Sequence, residues 1–578
     1  MKRFFINIIS VCSFVVLALT ACTDVWDEHY QTNPALAGDE NLWELISSNP
    51  DLEEFAALLV ATGYDSLLTM NRNYTVWAPI SMPDGFLLDG ASDSLLSVYR
   101  KEIVENHIAD FSHVAGGIRD KDDIKSYKKI KMLNGKFYDF AKSKRSGGYE
   151  FSEKGLKVSN VMAKNGVLHV LNGHADFSAN IWEQLAKVQL VDSLRSFLYK
   201  DYDDTEFDPY ASTPGPIVDG KLTYLDSVYK ISCRWFNEIG QLNREDSSYT
   251  MYALTNNAWM KMYEMAKTYF VYDTAMVTKS ESTYGQLSSE KATEAIAKDM
   301  MCRNLVFSNT INKKYFQGES DTLVSNYRYA YPRQVFVGNY ADTLRNGMVE
   351  EFKLSNGTLY VVDEVNYDPF VCWHDTIRVE GESVGYQSEF EEDVAKATVV
   401  SKGIHQDSTL YDRISKGAIG VVTPIAVTGK PILKFYVDNI LSGYYKISIV
   451  LLPPNIVDPA DTIFVKPNKF KARLYVAGKM DKNMEAIEFD GDGKAKKGEY
   501  VSNELKIDTI VLAECVKVPF CEYNLNIFKE NKRKTHLEIQ TSVTAMENKG
   551  SSRENWKYDT SYRIDQVIFE PVDGAKGE

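Results

Sequence analysis

The sequence predicts an α+β chain in which one α+β unit occurs twice in tandem and an all-β sandwich follows. The stretch Asn73-Tyr74-Thr75-Val76-Trp77-Ala78-Pro79 recurs as Ser248-Tyr249-Thr250-Met251-Tyr252-Ala253-Leu254. Each copy is followed by a second shared phrase, Asn165-Gly166-Val167-Leu168-His169-Val170-Leu171-Asn172 and then Asn356-Gly357-Thr358-Leu359-Tyr360-Val361-Val362-Asp363. Two phrases in the same order, twice, report a duplicated domain. From Phe370 onward helical periodicity stops, and short alternating segments between Gly, Pro and Asn turns take over.

The chain opens with Lys2-Arg3, an apolar run from Phe4 to Ala18, and Leu19-Thr20-Ala21-Cys22. A spanning helix needs roughly 20 apolar residues, so residues 1–21 read as a secretory signal peptide. Leu-Thr-Ala-Cys resembles the bacterial lipobox, which implies cleavage before Cys22, lipid on its sulfur and acylation of the new N-terminus. The alternative is plain cleavage that leaves Cys22 a spare thiol. Several acyl chains, each contributing ~0.8 kcal/mol per buried CH₂, would hold the protein on a membrane. Residues 22–40 contain Pro34 and Gly38, lack periodicity and read as the lipidated tether. Asp24, Asp27 and Glu28 resemble the surface-export signal of Bacteroidota lipoproteins, the alternative being an ordinary solvated spacer. The expected address is the cell outer membrane, lipid-anchored and surface-exposed.

In residues 41–177, Leu42, Leu45 and Ile46, then Leu52, Phe55, Leu58 and Leu59, recur at spacings of three and four, with cap chemistry at Asn41 and Asn49-Pro50-Asp51. Gly63 stops the second helix, a third runs to Met70, and Tyr74 to Ala78 is a strand ended by Pro79. Leu95 to Ile108 reads as a helix closing on Asn106-His107. Short strands follow at Ile130–Leu133, Lys136–Phe140, Tyr149–Phe151, Val158–Val161 and Val167–Leu171. The segments NYTVWAPISMPDGF, VENHIADF and NGVLHVLNGHADF, in that order, resemble a fasciclin domain. The resemblance implies an α+β wedge, helices packed on β-structure, with no intrinsic enzymatic activity.

The second copy, residues 181–369, begins at Ile181-Trp182-Glu183-Gln184-Leu185, parallel to Leu42-Trp43-Glu44-Leu45, and includes an expected helix from Ala292 to Phe307. It departs from the fasciclin pattern at Leu254, at Arg303-Asn304-Leu305 and at Tyr360 in place of His, and carries insertions at 201–225 and 313–340. It is thus a divergent, enlarged copy. Residues 370–578 carry the sandwich strands Ile432–Val437, Tyr444–Leu451, Lys471–Val476, Asp508–Leu512 and Tyr562–Phe569. These resemble the strands of jelly-roll, galactose-binding-like modules.

With 44% hydrophobic and 25% charged residues the composition is globular, and a net charge of -15 argues against a nucleic-acid partner. Cys233, Cys302, Cys372, Cys515 and Cys521 form no disulfide framework and no CxxC zinc pattern; buried free thiols are expected, with a Cys515–Cys521 bridge the alternative. His107 and His169 read as buried, hydrogen-bonded rings instead of metal ligands. Asp490-Gly491-Asp492-Gly493-Lys494-Ala495 opens like a calcium loop but has Lys and Ala where a ligand and the turn Gly belong, so it reads as a hairpin turn. The acidic runs Asp201, Asp203, Asp204, Glu206, Asp208 and Glu389, Glu391, Glu392, Asp393 read as solvated loops. With no HExxH, GxSxG or P-loop, no catalytic constellation, metal or cofactor is expected.

Exposed aromatic faces stack on sugars, so Trp373, Tyr386, Trp556 and Tyr558 are candidate ligand-binding platforms, with core packing the alternative for each. Asp followed by Ser or Thr at Ser66, Ser94, Ser193, Ser227, Thr274, Thr322, Thr343, Thr376, Ser408, Thr462 and Thr509 resembles the O-glycosylation acceptor of exported Bacteroidota proteins. The competing reading is that such pairs favour turns and caps. The expected function is a non-enzymatic, lipid-anchored surface protein for adhesion or glycan binding. The alternatives are an accessory subunit of an outer-membrane glycan transporter and, third, an enzyme with an unrecognised site.

Overall fold

The computed structural model describes residues 38–574 except 116–127, 144–146, 208, 210–213, 219–220, 225–228, 274–287, 329–333, 365–367, 384–393, 396, 405, 407–409, 427–428, 458–463, 477–484, 495, 524–533 and 551. Residues 1–37, which hold the expected signal peptide, Cys22 and most of the expected tether, lie outside the described residues. The chain divides into two compact units. The first runs to Lys187 and includes Leu242–Ser248 and Lys353–Gly357; the second comprises Val188–Gln241, Tyr249–Phe352 and the remainder from Thr358. The first helix of the second copy falls in the first unit.

The first unit starts with α1 (Leu42–Ser47), whose Asn41 and Glu44 form a reciprocal capping box that satisfies two backbone N–H groups. Residues Asp39 and Glu40, read as tether, precede it directly, and Glu40 accepts a backbone bond from Lys164. α2 (Glu53–Thr62) stops at Gly63, whose φ of 76° is left-handed, and α3 (Tyr64–Thr69) follows. α4 (Asp93–Tyr99) continues as one π-helical turn to Val104. The strands are β1 (Tyr74–Pro79), β2 (Ile108–Asp110), β3 (Lys128–Lys131), β4 (Phe137–Lys142), β5 (Tyr149–Phe151), β6 (Lys154–Ala163) and β7 (Gly166–Leu171), in a single sheet ordered β2-β1-β7-β6-β5-β4-β3. Leu42, Ile46, Phe55, Leu58 and Leu59 pack on Val76, Ala78, Leu168 and Val170, each buried side chain stabilising by ~2 kcal/mol relative to exposure.

The two recurring phrases are neighbours in this sheet. β1 runs parallel to β7, Tyr74 opposite Gly166 through Pro79 opposite Leu171. A Cβ on Gly166 would lie 1.9 Å from the Tyr74 carbonyl oxygen, which is why the second phrase needs Gly there. Its Asn165 ties three segments together: Oδ1 accepts from Leu42 N–H at 2.9 Å, and Nδ2 donates to the carbonyls of Leu68 (2.7 Å) and Met70 (2.9 Å). The helix expected to reach Ile108 ends four residues earlier, and 108–110 form β2 against β1. The cause is distant in sequence: Asn106 Nδ2 donates to Ala175 O and His107 Nε2 accepts from Ala175 N–H, turning the chain out of the helix.

The second copy repeats these devices. α5 (Ile181–Lys187) belongs to the first unit and is capped reciprocally by Asn180 and Glu183. Asn356 accepts from Ile181 N–H (2.8 Å) and donates to the carbonyls of Leu242 (2.7 Å) and Arg244 (3.0 Å). Also in this unit, Lys136 is 2% exposed and its ammonium pairs with Glu183 (2.7 Å) and Glu245 (2.6 Å) under the ring of Phe177.

The second unit holds α6 (Asp192–Tyr199), β8 (Tyr202–Phe207), β9 (Pro214–Val218), β10 (Lys221–Tyr224), β11 (Tyr229–Cys233), α7 (Arg234–Glu238), β12 (Tyr249–Leu254), α8 (Asn256–Tyr269), α9 (Ser289–Cys302), β13 (Val306–Ser308), α10 (Lys313–Phe316), β14 (Thr322–Val324), β15 (Val335–Val337), α11 (Tyr340–Arg345), β16 (Met348–Leu354) and β17 (Gly357–Val362). Its main sheet is ordered β13-β12-β17-β16. As in the first copy, the expected helix to Phe307 ends early and its tail becomes a strand, β13. Of the acidic run expected as a loop, Asp203, Asp204 and Glu206 lie in β8, which pairs with β11, and Asp201, in the turn before it, bonds Arg234 at 2.5 Å.

After α12 (Pro369–Cys372) come β18 (Ile377–Glu380), β19 (Val394–Ala395), β20 (Ala397–Gly403), β21 (Ala418–Pro424), β22 (Ile432–Tyr436), β23 (Gly443–Leu451), β24 (Lys469–Val476), β25 (Glu485–Glu488), β26 (Glu499–Val501), β27 (Asp508–Val518), β28 (His536–Thr541) and β29 (Tyr562–Val572). They build two antiparallel sheets, β20-β21-β29-β23-β27 with β18 on β29, and β19-β22-β28-β24-β25 with β26 on β24. Leu433, Phe435, Leu474 and Leu537 of one interleave with Ile447, Ile449, Val567 and Phe569 of the other in one core. Within this unit the sandwich is stitched to α8 and α9: Ser442 Oγ donates to Thr268 O (2.8 Å), Cys521 N–H to Val271 O (2.7 Å), and Arg303 to the Tyr523 hydroxyl (2.6 Å).

Candidate functional site

The aromatic platform expected from the sequence is not open. Trp373, Trp556 and Tyr558 are 8%, 2% and 7% exposed. Trp373 packs edge-on to Tyr269 and Phe270, Trp556 meets Phe464 and donates its indole N–H to Gly550 O, and Tyr558 lies against Lys469. Rings this large stabilise most when both faces are covered, which leaves none for a sugar. Tyr386 lies outside the described residues.

The two histidines of the fasciclin-like phrases are fully bonded. His107 donates from Nδ1 to Ile103 O (2.7 Å) and accepts at Nε2 from Ala175 N–H; His169 accepts at Nδ1 from Asn160 N–H (3.2 Å) and donates from Nε2 to His113 O (2.8 Å). Burial pulls both down to about 4, so each is a neutral ring with no lone pair to spare for a metal. Trp77 stacks on His169 at 5.5 Å and 19°, and Tyr252 on Tyr360 at 5.5 Å and 20°. Tyr360 therefore keeps the ring contact that His169 makes in the first copy. The five body cysteines are free thiols, all buried except half-buried Cys515. Residues 490–494 form a turn in which Asp492 accepts from Lys494 and Val501 N–H groups.

Glu380, Glu382 and Asp565 bring three carboxyls together beside Lys416, whose ammonium lies 3.1 Å from Glu380. Burial first, and then the two glutamates, push Asp565 up to about 6. Among the described residues no three His, Cys, Asp or Glu side chains are placed to hold a metal ion. Of the Asp-Ser and Asp-Thr positions, Ser66, Ser94, Thr376 and Thr509 are exposed and Ser193, Thr322 and Thr343 half-buried. Ser66, Ser94 and Ser193 sit in the first turns of α3, α4 and α6, yet none is the cap: Ser92 caps α4, and the N-caps of α3 and α6 make no side-chain bond. Ser227, Thr274, Ser408 and Thr462, with Asp208 and Glu389–Asp393, lie outside the described residues.

The surface best equipped to bind lies on the sandwich, on the outer face of β22-β28-β24-β25. Alternation sends Leu433, Phe435, Leu537, Ile539, Ala472 and Leu474 inward, so their neighbours face out. Register then lines up three rows. Tyr436, His536, Tyr475 and Ala486 form the first; Lys434, Glu538, Arg473 and Glu488 the second; Ile432, Gln540 and Lys471 the third. In the first row His536 stands 4.9 Å from Tyr475 at 8° and 5.1 Å from Tyr436 at 39°. His536 Nδ1 donates to Lys534 O, so Nε2 is the lone-pair nitrogen, and burial lowers the ring to about 4. In the second row the charges alternate in sign, and Arg473 bridges Glu488 (2.8 Å) and Glu538 (3.8 Å). These residues escaped sequence reasoning, although Lys434-Phe435-Tyr436 and Arg473-Leu474-Tyr475 share one pattern: a cation and a Tyr on the outward parity of a strand.

Comparison with known proteins bears on the first unit most directly. Residues 50–173 match the description Fasciclin domain. This segment is a fasciclin domain. Among solved structures, the FAS1 domain pair of the insect cell adhesion molecule Fasciclin I is 12% identical, with 56% of this chain and 98% of that chain covered and a TM-score of 0.20. A family 35 carbohydrate-binding module of Clostridium thermocellum is 6% identical (34% and 99% covered, TM-score 0.17), and an exo-β-1,3-galactanase of Phanerochaete chrysosporium 8% (34% and 29%, TM-score 0.14). TM-scores this low carry no weight of their own. No curated protein sequence matches the chain.

Proposed function

We propose that the protein is a non-enzymatic, lipid-anchored protein of the outer membrane and cell surface that serves in adhesion or glycan binding. The fasciclin domain supports an adhesion-type role, and Leu19-Thr20-Ala21-Cys22 supports the anchor. The observation that carries the reading is the outer face of β22-β28-β24-β25, where aromatic rings adjoin an ordered row of donors and acceptors. Such a surface suits hydroxyl-rich ligands, which combine apolar C–H faces with groups that both donate and accept. A glycan array and a cell-binding assay with the intact protein test it; retention on neither would overturn it.

A second reading, an accessory subunit of an outer-membrane transport complex, is favoured by strand β16. Among the described residues it lies at a sheet edge, with Met348 45% and Val349 52% exposed, an edge suited to pairing with another chain. Recovery of a stoichiometric partner crosslinked to β16 in native membranes would favour it over the first.

A further inference from the structure

We propose that the notch beside Tyr475 is a subsite for one pyranose unit of a neutral saccharide, an inference that rests on the glycan reading above. One face of the Tyr475 ring is taken by His536. The other looks across the sheet to Ala486, the next residue in the same row, whose side chain is a single methyl group. Every other position in that row holds a ring, so among the described residues of the row it is here that a flat ligand can lie against an aromatic face above the sheet. Both Tyr475 and Ala486 are half-buried and reached by solvent. A pyranose offers a C–H face of matching size, attracted by dispersion and by the negative face of the ring.

Hydrogen bonding and charge narrow the occupant. Two residues along the same strands, Arg473 and Glu488 stand side by side, Nε to Oε1 2.8 Å, beside the notch. A guanidinium only donates and a carboxylate only accepts, whereas a hydroxyl does both, so two neighbouring hydroxyls can bridge the pair without leaving a polar atom unsatisfied. The adjoining row of Lys434, Glu538, Arg473 and Glu488 pairs each cation with an anion and so carries no excess positive charge to favour a uronate or sulfated sugar. Tyr436, at the far end of the aromatic row about 10 Å away by strand spacing, lies outside the subsite.

The test is native affinity electrophoresis of the full chain in detergent, through gels that each contain one neutral polysaccharide: a β-1,3-glucan, a galactan, a xyloglucan or a mannan. At least one should retard the wild-type protein. Ala486→Leu keeps the Tyr475 ring but fills the notch, and should weaken that retardation about tenfold, the equivalent of ~1.4 kcal/mol. Tyr475→Ala should do the same, and Tyr436→Ala should change it less than twofold. Wild-type retardation by Ala486→Leu, at an unchanged unfolding midpoint, overturns the subsite while leaving glycan binding standing, as does an equal loss in Tyr436→Ala. Wild-type protein retarded by none of the gels overturns the glycan reading and the subsite together.

Discussion

Asn165 and Asn356 each spend every hydrogen-bonding group they have on holding a helix start and a loop to the end of a β-hairpin. Substituting Asn165→Ala strands one buried N–H and two carbonyls, which should cost on the order of 3 kcal/mol in chemical denaturation. Asn165→Asp should not rescue it, since a carboxylate cannot donate to Leu68 and Met70. Glu522 makes a different residue-level prediction. It is fully buried, and burial raises its carboxyl to about 7, above the ordinary value near 4.5. Its contribution to stability is therefore fully present below pH 4.5 and lost as pH rises through 7, because the unfolded chain then ionises it at lower cost. Glu522→Gln can still accept from Thr535 N–H, so it should raise the unfolding free energy at pH 8.5 by on the order of 2 kcal/mol and leave it unchanged at pH 4. Equal midpoints at pH 8.5 would show that the carboxylate is solvated when charged. The asparagines are legible in the sequence through their repetition; Glu522 is not, because nothing local distinguishes a buried Glu among 80 acidic residues.

At the scale of elements, the strand Tyr74–Pro79 and its copy were readable because β-branched and aromatic residues bounded by turn residues need little context. Where α4 and α9 give way to strands was not readable. Helical periodicity runs on past both breaks, and what stops the first is a contact with Ala175, far along the chain. The outward rows of the sandwich show the same limit. Alternation tells which residues of β22, β24 and β28 face out, but only register sets Tyr436, His536 and Tyr475 abreast. Lys136 supplies a prediction at this level. It neutralises Glu183 and Glu245 where all three are largely withdrawn from water, and Glu183 also caps α5. Lys136→Ala leaves Glu245 without its cation, while Glu183 keeps Lys101 at 2.6 Å, and should cost ~3 kcal/mol by urea denaturation, whereas adding Glu245→Gln should recover part of the loss. A Lys136→Ala protein as stable as wild type would show that solvent replaces the ammonium.

For the whole molecule, the proposed anchor makes the clearest prediction. Cys22→Ser should move the protein from the detergent-extractable membrane fraction to the soluble fraction, and the mature wild-type protein should exceed the mass of residues 22–578 by its acyl chains. Unchanged fractionation of the variant would overturn lipid anchoring. Among the described residues no helix is long and apolar enough to cross a membrane. The duplicated phrases and the β-rich C-terminal region are legible in the sequence alone, because each rests on a pattern that repeats or alternates along the chain. Which aromatics are covered was decided by tertiary structure: Trp373, Trp556 and Tyr558 look like binding residues in the chain yet are buried, while Tyr475 is half-buried with the single methyl group of Ala486 opposite it. Exposure is a property of what packs against a side chain, and those neighbours come from segments that sequence order does not bring together.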